Sequence, residues 1–109
     1  MTPKQFQKYL DRDKFCCHCG STEALVPHHR KNRGMGGAGV CRNLPSNILT
    51  VCAQLNLLME SDSNTAEQAR NYGWKLLSWQ DPSSEPYYNA MTGEWILLDD
   101  VYQTQIIKR

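Results

Sequence analysis

No stretch of the 109-residue chain approaches the roughly eighteen consecutive apolar residues of a membrane span. Met1 to Arg12 is mostly polar and charged, so no secretory signal is expected there. An even set of cysteines is also missing: five stand at positions 16, 17, 19, 41 and 52. A secreted disulfide framework would leave one of them unpaired, and reduced thiols with metal ligation in a cytoplasm are expected instead. Internal repeats and low-complexity tracts are absent as well. At this length a single domain over residues 1–109 is expected, with a core small enough that a metal staple or oligomerisation would help.

Net charge is nearly lacking too, at +1, but the chain is not uniform. Residues 1–59 hold eight Lys/Arg against three acids, whereas residues 60–109 hold four against eight. The first half also carries all three histidines and most of the glycines. A polyanionic partner suits that half, with the acidic half facing elsewhere.

Pro3 to Asp13 reads as a short helix, since Phe6, Tyr9 and Leu10 recur at helical spacing behind a Thr2–Pro3 start. Glu23 to Val26 suits the first strand of a hairpin, with Pro27 at its end or on an exposed edge. Arg30 to Asn43 contains Gly34, Gly36, Gly37 and Gly39 and is expected to be a loop. Its length in so small a protein points to function. From Asn47 to Glu60 the apolar positions Ile48, Val51, Cys52, Leu55, Leu58 and Met59 follow a helical stripe. A second helix is expected from about Thr65 to Trp79, interrupted in character by Gly73. Tyr87–Asn89 and Glu94–Leu98 flank Met91-Thr92-Gly93 as a small hairpin, and Val101 to Arg109 is a short tail.

Cys16 and Cys19 form a C-x-x-C pair on a turn ending in Gly20. Two thiolates at that spacing can share one tetrahedral zinc, and Cys52 is the natural third ligand. Three residues after Cys52, where a fourth ligand would be expected, stands Leu55, and His18, Cys17 and Cys41 are the candidates to substitute for it. The alternative is a set of reduced cysteines packed as small buried hydrophobes. Nothing resembling a redox strand–helix unit surrounds the pair.

His28-His29 lies where the first strand meets the glycine loop. If the backbone stays extended, the two rings point to opposite faces and take different tasks, one binding a metal and one acting as a base. Cleavage of a phosphodiester needs a base near neutral pKa and an electrophile at the phosphoryl oxygens. Arg30, Lys31, Arg33 and Arg42 offer positive charge for backbone phosphates.

Taken together, "PHHRKNRGMGG" from Pro27, "SNILTVC" from Ser46, and then Asn56 and Glu60 resemble the HNH nuclease family, also called ββα-metal or His-Me finger. More concretely, the chain is similar to small phage and prophage members with a C-x-x-C knuckle. The resemblance covers residues 16–60 and leaves 61–109 as an extension. It implies a hairpin and helix around one Mg²⁺ or Mn²⁺; with the N-terminal helix and the C-terminal helix plus hairpin read from the residues themselves, the expected fold is α+β. It places His28 and Asn56 as ligands of that ion, His29 as the general base and Asn47 as the residue that orients it. Glu60 supports the site, and Zn²⁺ on Cys16, Cys19 and Cys52 holds the scaffold. The expected activity is metal-dependent hydrolysis or nicking of DNA, in the host cytoplasm if the gene is a phage's.

Two positions depart from the family pattern. Asn56 replaces the last histidine, giving an HNN set, although an amide oxygen can ligate a hard cation and active members with Asn there are known. Leu55 stands in place of the knuckle's fourth cysteine. The rival expectation is therefore an HNH-derived DNA-binding or protein-interaction module with weak or no cutting. The acidic half, with Trp74, Trp79, Tyr87, Tyr88 and Trp95, suits a core extension or a protein-binding surface, and an adaptor or enzyme inhibitor is a third possibility. Acids around those aromatics argue against base stacking.

Overall fold

The computed structural model describes residues 1–31 and 43–108. Helix α1 (Pro3–Asp13) starts at a reciprocal cap in which Thr2 Oγ1 accepts from Gln5 N–H and Gln5 Oε1 accepts from Thr2 N–H. Its last two residues anchor it. Asp13 accepts the Thr50 N–H at 2.9 Å, and the Arg12 guanidinium donates to the carbonyls of Pro45 and Ile48. The Arg12–Asp13 pair, 2.6 Å apart, is almost wholly enclosed there.

Strand β1 (Leu25–His29) pairs antiparallel with β2 (Ile48–Cys52), setting Leu25 opposite Cys52 and His29 opposite Ile48. The helix expected from Asn47 onward is thus a strand over Ile48–Cys52, and helix α2 (Ala53–Ser61) begins only afterwards. Every residue of β2 is buried. A short run buried on both faces has no strand alternation to show, so helical spacing imitated it. Strand β1 also starts and ends two to three residues later than expected, taking in Pro27 and both histidines.

Helix α3 (Ser63–Asn71) follows a single residue, Asp62, whose carboxylate accepts the Thr65 N–H. It stops well short of Trp79. Gly73 has φ +74°, and a Cβ there would lie 2.2 Å from the Pro86 carbonyl oxygen, so the chain turns where only glycine passes. The expected hairpin forms as β3 (Tyr87–Asn89) and β4 (Glu94–Leu98), and the tail supplies a third strand, β5 (Thr104–Ile107), in the order β3-β4-β5. The result is a mixed α+β fold with two small antiparallel sheets. One buried cluster takes Cys16, Leu49, Val51, Leu55 and Met59 from the first half and Ala69, Trp74, Tyr87 and Leu98 from the second.

Candidate metal centre and histidine cluster

The cysteine turn is held by two main-chain bonds. Gly20 N–H donates to the Cys16 carbonyl and Cys16 N–H to the Ser21 carbonyl, both at 2.9 Å, with Gly20 at φ +74°. Cys52 arrives from the end of β2 as the N-cap of α2, where its sulfur accepts the Leu55 N–H at 3.3 Å. The Sγ atoms of Cys16, Cys19 and Cys52 lie within 4.8 Å of one another, and those of Cys19 and Cys52 are 3.7 Å apart. Zinc–sulfur bonds of about 2.3 Å in a tetrahedron place sulfurs about 3.8 Å apart, so the three thiols suit one zinc ion.

Cys17 is not among them. It is buried, and the hydrogen bond it shares with Cys16 pulls the Cys16 thiol down to about 4 while raising its own well above the usual range. The direction of that shift favours the thiolate at Cys16, the form that ligates zinc. His18 stands outside the three-sulfur group; its ring lies edge-on to Trp74 with centroids 5.4 Å apart. Cys41 falls outside the described residues. Leu55, at the expected fourth position, is a core residue.

The two histidines diverge as an extended strand requires. His28 turns inward and is 4% exposed; its Nε2 donates to the Trp74 carbonyl at 2.7 Å. The Asn56 side chain on α2 hydrogen-bonds the same ring. Burial pulls the His28 pKa down to about 4, the nearby Lys75 ammonium adds to that, and Trp74, Glu60 and Asn56 oppose it. The expected ligand pair is therefore brought together, but the His28 ring is already engaged by the Trp74 carbonyl. Lys75 Nζ lies 3.6 Å from Glu60 Oε1 and 3.5 Å from the Met59 carbonyl, putting a fixed positive charge beside the cluster. One enclosed imidazole, one amide and an acid already paired with lysine make a poor donor set for Mg²⁺ or Mn²⁺, which favour several oxygens. Lys75 gave no signal in the sequence, because only the turn at Gly73 carries it back to α2.

His29 faces the other way, half-buried, with Nε2 at 3.1 Å from Asn43 Oδ1. Asn47 is fully buried. Its Oδ1 accepts the Lys31 N–H and its carbonyl accepts the Arg30 N–H, each at 2.8 Å, so it fixes the backbone just after His29. It caps no helix.

Arg30 does not lie at a phosphate-accessible surface. It is wholly enclosed and donates to four carbonyls, of Gly73, Ser46, Pro82 and Glu85. Lys31 is buried too, bridged to Leu76. Main-chain carbonyls left over by irregular segments attracted Arg30 inward. Arg33 and Arg42 fall outside the described residues. In the second half, Tyr72, Trp74, Tyr88 and Trp95 form one ring cluster, with Tyr72 and Tyr88 centroids 5.0 Å apart.

No family model, curated protein or solved structure matches the chain.

Proposed function

We propose that this chain is an HNH-derived binding module, stapled by zinc at Cys16, Cys19 and Cys52, with weak or no nuclease activity. One observation carries the reading. His28, the residue that would hold a catalytic cation, is enclosed, bonded to Trp74 and Asn56, and neighboured by the Lys75 ammonium. A histidine already donating to a carbonyl beside a positive charge has little to offer a divalent ion.

A protein partner suits the described surface better than DNA. Arg30 and Lys31 are internal, and Arg12 is engaged with carbonyls, which removes three of the eight cations of the first half. Among the exposed apolar side chains, Trp79, Val101 and Ile106 belong to the acidic half.

A second reading keeps DNA nicking with His29 as base, and the accessible, outward placement of His29 favours it. Plasmid DNA incubated with Mg²⁺, Mn²⁺ or EDTA separates the two. The binding module gives no more metal-dependent nicking than its His29→Ala variant. Nicking by the wild type that disappears in that variant would overturn it.

A further inference from the structure

The sheet β3-β4-β5 has two edges, and the fold treats them differently. At β3 the outward main chain is taken: Tyr88 N–H donates to the Tyr72 carbonyl and Ala90 N–H to the Cys17 carbonyl, both at 2.8 Å. At β5 the residues Thr104, Gln105 and Ile106 are exposed to solvent, Ile106 by 60%. Asp99 N–H donates to the Gln103 carbonyl where β4 gives way to β5. Antiparallel alternation then turns the main chains of Gln105 and Ile107 toward β4, and those of Thr104 and Ile106 away from it. A solvent-facing edge of this kind is a template for a further strand.

We infer that β5 pairs antiparallel with β5 of a second copy of this chain, joining the two three-stranded sheets across a two-fold axis. Shape selects that occupant. Setting Thr104 opposite the second copy's Ile106, and Ile106 opposite its Thr104, lets the outward-facing residues exchange main-chain bonds. Thr104 also lines a cavity of about 230 Å³, with Leu97, Leu98 and Ser83. The register puts Thr104 beside Leu98 and Ile106 beside Ile96, so these side chains share one face of the sheet. The second copy's Ile106 therefore arrives next to Thr104, and each copy offers its isoleucine to the other's cavity.

Charge fixes the direction. Lys108 stands exposed just after β5, while Asp99 and Asp100 stand exposed in the segment before it. Antiparallel pairing carries each Lys108 toward the other copy's two aspartates, whereas parallel pairing would set lysine beside lysine and acid beside acid. Neither a metal nor nuclease chemistry enters this contact, so it stands or falls apart from the function proposed above.

Sedimentation equilibrium of the full chain over a concentration series, with residue-resolved amide hydrogen exchange on the same samples, tests the pairing. The mass should rise from monomer to dimer, and the Thr104 and Ile106 amides should gain protection with concentration. Ile106→Lys, at an exposed position, should raise the dimer dissociation constant by about tenfold or more. Lys108→Glu should weaken the dimer too, which keeps the test alive if the first variant does not fold. A wild type that stays monomeric at millimolar concentration would overturn the inference. So would a dimer that leaves those two amides unprotected, or one that both variants leave unchanged.

Discussion

His28 Nε2 donates to the carbonyl of Trp74 across 46 residues of sequence, and two positions along β1's exit Arg30 Nε donates to the carbonyl of Gly73. These two bonds lash the end of the first strand to the turn that ends α3. They commit to the interior the very residues that a nuclease of the resembled kind would present to metal and phosphate.

The enclosure of His28 makes stability depend on pH in a stated direction. Its pKa falls from an ordinary 6.5 to about 4, chiefly through burial. Below about 6.5 the unfolded chain takes up a proton that the native ring refuses. The contribution is therefore complete above that pH and is lost as pH falls toward 4, by on the order of 3 kcal/mol. Denaturant unfolding at pH 7 and near pH 4.5, compared with His28→Gln, should show a steeper acid decline in the wild type. Equal declines would acquit His28.

Arg30 is expected to be a stability residue. Arg30→Ala strips the donor from four enclosed carbonyls and should cost about 3–5 kcal/mol in unfolding free energy. Arg30→Lys should recover little, since one ammonium cannot replace a planar fork reaching four acceptors. A variant as stable as wild type that instead lost affinity for DNA would return Arg30 to the surface role.

Two glycines with nearly the same backbone separate conformational cost from collision. Gly73 and Gly93 have φ +74° and +72°, but a Cβ at Gly93 meets only the Tyr88 hydroxyl at 3.9 Å, while at Gly73 it meets the Pro86 carbonyl at 2.2 Å. Gly93→Ala should cost about 1–2 kcal/mol. Gly73→Ala should cost clearly more, because backbone must move as well. Thermal melts of the two variants decide it, and equal shifts would count against the close turn.

The metal staple predicts a sharp difference among neighbouring cysteines. One zinc per chain is expected by elemental analysis, lost in Cys16→Ser, Cys19→Ser and Cys52→Ser but kept in Cys17→Ala. Chelation should lower the melting temperature of the wild type, by an amount corresponding to several kcal/mol (order of magnitude). Zinc retained in Cys52→Ser would dismiss Cys52 as a ligand.

Much of this was written locally in the sequence. The Thr2–Pro3 start fixed α1 because cap and helix lie within one turn. The spacing of Cys16 and Cys19 fixed the knuckle, and the Met91-Thr92-Gly93 segment fixed the turn between β3 and β4, for the same reason: the interacting groups are neighbours in the chain. Extended backbone at His28-His29 also dictated that the rings part company. The tertiary structure alone decided that Ile48–Cys52 is a strand, because its strandedness comes from pairing with β1 and burial on both faces. It alone decided that Arg30 turns inward, since the carbonyls that receive it come from residues distant in sequence, and that Lys31 is buried where its backbone bridges to Leu76. And it alone set Lys75 beside His28 and Asn56, because charge in a folded core is read by distance in space, which no spacing along this chain encodes.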